Sequence, residues 1–587
     1  MSATRLLAFI SFIFSVGLDA LGQNRFNVLF IAIDDLRPAL GCYGDKVAKT
    51  PNIDRLAKRS IVFNRAYCQQ AVCSPSRLSM LTGLRPDTIQ VWDLGTHFRK
   101  ARPNAVTLPQ YFKNNGYFTQ SIGKIFHGGG KPSQDPVSWS IKPQYDTTRD
   151  PKTRYVLPHN LRGTGLKRSA SESADVSDDA YIDGIVANAA VKALRQMSNR
   201  KQPFFLAVGF RKPHLPFNAP RKYWDLYERN NIPMPENARH PKEAPELATR
   251  SWMELEGYTD VPKNGKLSDS KIRELRHGYY SCVSYIDAQV GRLLNTLGEN
   301  GLTEKTVVMI YGDHGFHLGE QGLWTKANNF ELSTRVPLIF SLPNYSGAQS
   351  NALVELVDVY PSLCDAVELP IPRKLEGTSF LPILKNPNQP WKSAVFSQYP
   401  RSLKGHRHSK HGDIMGYAFR TERYRYVEWQ DWKSKDIVGR ELYDFEDDHI
   451  FGKWNRNRIR TAQQIEGVPS LTRQQIECTD LLDKILRRPE LMYTMWLEPG
   501  DLQIMNNHVL LHSRTAFEDH KDPERKRLLY RLWIAPPDSI RLPNSWKNYF
   551  RAIEPGLVRG GIRGHQYDAK CRDFDLRQAQ NLGMKTE

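Results

Sequence analysis

Short apolar runs rich in β-branched and aromatic residues, separated by stretches of helical periodicity, constrain this chain more than any other feature. Val28–Ile33, Phe204–Phe210, Thr306–Tyr311 and Val336–Leu342 lack polar alternation, as strands buried on both faces do. Ahead of the third run, Ile272, Leu275, Tyr279, Val283, Ile286, Val290, Leu293 and Leu297 recur at helical spacing, with Gly298 placed as a stop. The pattern predicts an α/β fold, a mostly parallel sheet sandwiched by helices.

The 587 residues leave room for one large α/β body and smaller units. A net charge of +19 favours polyanionic partners, and no Lys/Arg block of the kind a nucleic-acid arm carries is present, so nucleic acid is not an expected partner. Seven scattered cysteines read neither as a disulfide framework nor as a zinc site. Residues 1–22 read as a secretory signal: Arg5, an apolar stretch from Leu6 to Leu18, then Ala20-Leu21-Gly22. Export to the periplasm or the extracellular space, without stable membrane insertion, is the expectation. Lys131 to Ser177, rich in Pro, Gly, Ser and charge, reads as a long surface loop, and Pro370-Ile371-Pro372 marks a change of subdomain.

Chemistry concentrates around Cys73. In Cys73-Ser74-Pro75-Ser76-Arg77, followed by Leu78 to Thr82 and Gly83, a proline near the start and a glycine after the end frame a short helix whose positive N-terminus faces the thiol. An anion could bind there. Cys-x-Pro-x-Arg followed by Leu-Thr-Gly resembles the maturation signature of the type I sulfatases. Asp34-Asp35-Leu36-Arg37-Pro38, Gly41 to Asp45, Gln69 to Arg77, Gly123 to His127, Lys212-Pro213-His214 and Gly312 to Gly315 extend the resemblance, over about residues 26–450, to the iduronate-2-sulfatase-like subgroup.

The resemblance implies an alkaline-phosphatase-like catalytic domain over 23–370 and a small C-terminal subdomain over 371–453. It also implies that Cys73 becomes formylglycine through a formylglycine-generating or anaerobic sulfatase-maturing enzyme. Asp34-Asp35 and Asp313-His314 each follow a predicted strand, so both pairs can meet at the carboxyl ends of a parallel sheet, and paired carboxylates favour a hard divalent ion. By resemblance that ion is calcium (Ca2+), held by Asp34, Asp35, modified Cys73, Asp313 and His314. Catalytic positions matching the pattern are Arg77, Lys124, His127, His214 and Lys326. Arg77 is expected to orient the nucleophile, and Lys124, His214 and Lys326 to clamp a sulfate; the acid and base roles stay open between His127 and His214. The implied activity is hydrolysis of sulfate esters on a sulfated glycan. A phosphonate or phosphate monoester hydrolase using the same nucleophile, and a glycan-binding protein that never matures Cys73, are the alternatives.

Beyond Asp444 the chain carries a second resemblance. Leu497 to Gln503 and Asn506 to Asp519, with Arg527 and Arg531, are similar to the C-terminal part of the taurine dioxygenase/clavaminate-synthase-like family. His512 matches that family's distal iron ligand, but no histidine lies between Phe451 and Glu498 to supply the upstream one. Residues 454–587 are therefore expected to form a truncated dioxygenase-like segment, a partial double-stranded β-helix without oxygenase activity.

Overall fold

The computed structural model describes residues 25–586 apart from 128–133, 146–153, 163–166, 251–253, 264–265, 387–388, 403–412, 446–454, 490, 506–510, 514–517, 527, 529–535 and 560–567. The expected signal at 1–22 lies outside the described residues, as do Arg527 and Arg531. No helix among the described residues is long and apolar enough to cross a membrane. The chain divides into two compact units, Met1–Tyr443 and Asp444–Glu587.

The first unit is built on an eight-stranded sheet: β1 (Asn27–Ile33), β2 (Ile61–Tyr67), β3 (Phe118–Gly123), β4 (Phe204–Phe210), β5 (Thr306–Gly312), β6 (Arg335–Val336), β7 (Leu338–Ser341) and β8 (Ala348–Glu355). Three of the four sequence-predicted runs became β1, β4 and β5. β1 lies between β4 and β5, parallel to both, and β3 pairs in parallel with the far side of β4. Side chains of β1 alternate between two cores: Leu29, Ile31 and Ile33 pack on one face, Val28, Phe30 and Ala32 on the other. Because both faces are covered, the run can be apolar throughout.

The fourth run departs from expectation. Pro337 has no N–H to give to a ladder, so Val336–Leu342 is split into β6 and β7, and β7 runs antiparallel to β5 and β2. Gly298 does not stop its helix either. The helix α3 (Asp269–Glu299), which buries Leu275, Tyr279, Val283, Ile286, Val290, Leu293 and Leu297, runs through Gly298 and ends at Asn300, before Gly301 at φ 64°. With α2 (Ile182–Met197) it covers one face, and α1 (Cys73–Thr82) lies on the opposite side of the sheet.

Lys131–Ser177 is more than a surface loop. Its described part buries Trp139, Tyr155, Ala170, Glu172 and Ala174, and Ser171–Ala174 pairs in parallel with Phe217–Pro220. Glu172 explains the order: its carboxylate accepts from the Val156 and Leu157 amides, Asn160 Nδ2 and the Tyr181 hydroxyl. Polar composition disguised a segment organised around one buried acid.

After β8, an antiparallel meander of β9 (Ala394–Arg401), β10 (Ile414–Thr421), β11 (Tyr424–Asp431) and β12 (Ile437–Asp444) forms the C-terminal subdomain. Ile414, Ala418, Val427 and Trp429 pack with Leu323 and Phe330, and Trp429 Nε1 donates to Glu441.

The longer elements described in the second unit are helices at Arg456–Ala462, Arg473–Leu486 and Ala569–Leu582, with an isolated bridge between Leu557 and Lys585. Among the described residues of this unit there is no strand beyond Asp444, so the expected partial double-stranded β-helix is not formed there. Tyr493, Trp496, Leu502 and Ile504, large apolar side chains that a packed sheet would bury, are 85–92% exposed. Strands without partners to cover that face have no reason to pair.

The parallel strands align their carboxyl ends, and two glycines allow the loops there to touch. A Cβ on Gly209 would stand 2.0 Å from the Lys124 carbonyl oxygen, and one on Gly123, at φ 84°, 2.1 Å from that of Gly209. Lys124 N donates to Gly209 O at 2.8 Å. Gly209→Val should therefore cost about 1–3 kcal/mol or more of stability, measured by thermal unfolding; an unchanged midpoint would contradict the close approach.

Candidate active site

Four of those carboxyl ends supply the site: Asp34-Asp35 after β1, Lys124 after β3, Lys212 and His214 after β4, Asp313-His314 after β5. This is where open α/β sheets build ligand sites, because strand hydrogen bonding stops there and backbone and side chains are free to converge. Asp35 adopts φ 62°, a conformation that costs a non-glycine residue energy and has to be held by its surroundings. The Tyr279 hydroxyl of α3 donates to its carbonyl at 2.9 Å, and its amide donates to Asp313 Oδ1 at 3.1 Å.

Arg77, fully buried in α1, ties the two acidic pairs together. Its Nη2 donates to Asp34 Oδ1 at 3.0 Å, its Nε to Asp313 Oδ2 at 2.7 Å, and its Nη1 to the carbonyls of Lys124 and Ile125. Sequence similarity assigned it to the nucleophile; the geometry adds a structural role, since a guanidinium's fixed fork can hold several acceptors at once. Burial opposes the charge on Asp34, yet Lys124 and Arg77 overcome it and hold that carboxyl well below the usual carboxylate range. For Asp35, burial together with the negative charge of Asp34, Glu254 and Asp313 outweighs Lys326 and pushes the carboxyl up.

Cys73 is the first residue of α1, and the helix ends at Gly83 in the left-handed region. Its Sγ lies 3.3 Å from His314 Nε2. His314 Nδ1 is 2.9 Å from the Gly315 carbonyl, which can only accept, so the proton sits on Nδ1 and the Nε2 lone pair faces Cys73 and Asp35 Oδ1, the latter at 3.3 Å. Ligand atoms of Asp34, Asp35, Cys73 and His314 lie within 4.8 Å of one another. Asp313 adjoins this group, its oxygens taken by Arg77 and by the amides of Asp35 and His314. Two carboxylates and an imidazole lone pair around one point, with Asp35 destabilised by surplus negative charge, fit a divalent cation.

The remaining predicted residues ring this centre. Lys124 Nζ pairs with Asp34 Oδ2, and Lys326 Nζ with Asp35 Oδ2 at 2.8 Å. Lys326, the position with the weakest motif, is thus firmly seated. His214 Nδ1 donates to Leu215 O at 2.6 Å, leaving Nε2 turned toward Glu254 Oε1 at 3.3 Å. Burial, then Lys124, pulls the His127 imidazole down to about 3, so it is neutral near pH 7, and its Nδ1 is buried without a hydrogen-bond partner. Lys212, buried, turns back to the His214 and Pro216 carbonyls and braces the turn that carries His214.

Glu254 escaped sequence reasoning. It belongs to no motif, and a lone glutamate in a polar stretch is ordinarily a solvated residue. Its second oxygen meets Lys326 Nζ at 2.9 Å, so it joins two predicted sulfate-clamping groups. His512, the tail's candidate iron ligand, is exposed, and it belongs to no cluster of possible metal ligands among the described residues.

A family model for sulfatases matches residues 26–369. The chain belongs to the sulfatase family. It is a sulfuric ester hydrolase by that membership. A second family model, for the C-terminal part of N-sulphoglucosamine sulphohydrolase, matches residues 319–474 and so runs past 454, where the dioxygenase-like segment was expected to begin. Human iduronate 2-sulfatase is 35% identical over 506 residues, covering 73% of this chain and 90% of its own length. A sulfatase of Formosa agariphila is 28% identical, with 76% and 86% covered. Among solved structures, phosphonate monoester hydrolase of Agrobacterium radiobacter superposes with TM-score 0.58 at 23% identity (72% of this chain, 89% of that one). An enzyme solved with its substrate D-glucosamine-2-N,6-O-disulfate gives 0.57 at 21% (78% and 98%). These structural likenesses establish the sulfatase-like α/β fold. None of these matches is to an oxygenase.

Arg77→Met should strand two buried carboxylates without their shared counter-charge and cost about 3–5 kcal/mol, read by denaturant unfolding. A loss under about 1 kcal/mol would mean that the pairs are held by something else.

Proposed function

We propose that this sulfatase is exported and calcium-dependent, and that it hydrolyses sulfate esters of sulfated polysaccharide, with iduronate 2-sulfate as one candidate substrate. The observation that carries the reading is Cys73 at the N-terminus of α1, its Sγ 3.3 Å from His314 Nε2 and grouped with Asp34 and Asp35. The likeness to human iduronate 2-sulfatase supports the sugar class, and the surplus of basic residues suits a polyanionic substrate.

Hydrated formylglycine at position 73 supplies two hydroxyls on one carbon, one to attack sulfur and the other to lose its proton so that sulfate leaves. Asp34, Asp35, Asp313 and His314, with residue 73, would hold calcium, whose chemistry is to polarise a sulfate oxygen and acidify the attacking hydroxyl. This chain's residues do the rest. Lys124 and Lys326 offer N–H donors to the oxygens of a sulfate, which carry the charge in a sulfuryl transfer as in a phosphoryl one, and His214 lines the same position. Arg77 keeps Asp34 ionised and holds both Asp34 and Asp313 in place. The neutral His127 is able to accept a proton, and the helix dipole of α1 favours the anion at its start. A formylglycine-generating or anaerobic maturing enzyme is the required partner. The tail at 454–587 is read as an inactive dioxygenase-like appendage.

Mass spectrometry of the peptide spanning Cys73 should find formylglycine. Cys73→Ala should fold normally and release no sulfate; retained turnover would refute the mechanism. Wild-type protein should prefer sulfate to phosphonate esters of one phenol, and a large preference for phosphonate would overturn the substrate class. Chelation should abolish turnover and calcium restore it, whereas activity indifferent to a chelator would remove the metal from the scheme. His512→Ala should leave sulfate release unchanged.

A further inference from the structure

The Lys131–Ser177 stretch brings two cations to the flank of the site, Arg154 and Lys167, and neither belongs to a motif. Arg154 is pinned on both sides. Its carbonyl accepts from Asn218 Nδ2 at 2.5 Å, just beyond His214 along the chain. The residues that follow it are held as well: the Tyr155 hydroxyl donates to Ser169 O at 3.0 Å, and the Val156 amide to Glu172 Oε1 at 2.8 Å. Lys167 Nζ donates to the Glu254 carbonyl at 2.8 Å and stands 5.2 Å from the centre of the Tyr258 ring. Glu254 in turn meets Lys326 Nζ, which pairs with Asp35. A single residue, Glu254, thus separates Lys167 from the lysine at the acidic centre.

Neither cation has an acid of its own. Among the described residues no carboxylate pairs with Arg154 or Lys167, and the Arg154 guanidinium gives no hydrogen bond to the protein; its Nε is buried without a partner, while the residue as a whole is half-buried. The Glu254 carboxylate is already shared between Lys326 and His214. Burial, opposed by Glu254 but reinforced by the positive charges of Lys326 and Arg154, holds the Lys167 ammonium below its ordinary range. The Arg154 charge also bears on Lys212 and on the Tyr258 hydroxyl, which Glu254 and Lys326 reach too. Positive charge is therefore in surplus on this flank. A half-buried guanidinium without a partner is unfavourable, and a bound anion offsets that cost. Its planar fork suits a carboxylate or a sulfate, either of which presents two oxygens to parallel N–H donors. We propose that Arg154 and Lys167 form a subsite for a second anionic group of the substrate, a carboxylate or a further sulfate on the sugar that carries the scissile ester. The inference rests on the sulfatase reading above and adds to it what distinguishes one sugar from another. Lys124 and Lys326 serve the scissile sulfate whatever carries it; Arg154 and Lys167 select among carriers.

The test uses wild type, Arg154→Gln, Lys167→Gln, the double variant and Arg154→Lys, each full-length with formylglycine at 73 verified by mass spectrometry. The substrates are a sulfated uronic-acid disaccharide, its carboxyl-reduced counterpart, a neutral sugar carrying one sulfate or two, and 4-nitrophenyl sulfate, which has no second anion. On the sugars that carry the recognised anion, Arg154→Gln should raise KM about tenfold to a hundredfold with kcat nearly unchanged, as when a charge-assisted contact made equally in ground and transition states is lost. Lys167→Gln should shift KM in the same direction. Arg154→Lys should recover part of the loss, since an ammonium keeps the charge but not the fork. KM for 4-nitrophenyl sulfate should change less than about twofold, because that ester never reaches the pair. A loss on the uronate that spares its reduced counterpart identifies a carboxylate; a loss on the disulfated sugar that spares the monosulfated one identifies a sulfate. Equal changes on every ester, the aryl sulfate included, would show a merely structural role, and an unchanged KM on both polyanionic sugars would show that the two cations meet only solvent; either result overturns the proposal. Wild-type protein carrying formylglycine yet cleaving none of the esters would overturn the reading of the site itself, and the proposal with it.

Discussion

Everything at this centre depends on burying acid at the carboxyl edge of a parallel sheet. Asp34, Asp35 and Asp313 are almost completely withdrawn from solvent, and isolated carboxylates cannot be kept charged there. Arg77 resolves the problem for two of them at once, and because its guanidinium also binds the Lys124 and Ile125 carbonyls, it locks the ends of β1, β3 and β5 to α1. The helix that starts at Cys73 is thereby positioned by the same charge that keeps the site ionised. Stability and reactivity share one set of contacts, so these residues cannot be exchanged for apolar ones without dismantling the centre.

Around that clamp the charges are deliberately unbalanced. Lys124 answers Asp34 and Lys326 answers Asp35, but Glu254 adds a further negative charge and Asp35 remains destabilised. A site poised this way has something to gain from a divalent cation on its acidic side and from a sulfate on its basic side. Burial holds the imidazoles of both His127 and His214 below their ordinary range, so two neutral rings line the same centre.

Much of this was legible along the chain. Uninterrupted apolar runs announced β1, β4 and β5, and the acidic pairs at their ends announced a site, since only strand termini can expose such residues to a common point. What misled was local composition. The apolar run Val336–Leu342 gave no sign that it breaks at Pro337 and runs antiparallel to its neighbours, and the polar Lys131–Ser177 stretch concealed the buried Glu172 that organises it. Similarity at Leu497 to Asp519 suggested strands where the described residues hold none, because a motif says nothing about whether partner strands exist to pair with it.

The sequence by itself determined the three central strands β1, β4 and β5, the helix beginning at Cys73, the acidic pairs and membership in a family, because these are written in periodicity and contiguous motifs. Only the tertiary structure decided that Arg77 serves two aspartates from different strands, that Lys326 reaches Asp35, and that Glu254 meets both His214 and Lys326. Those partnerships join residues far apart along the chain through single side-chain atoms. Charge pairing at such range leaves no periodicity to read, since it exists only once the strand ends have been brought together.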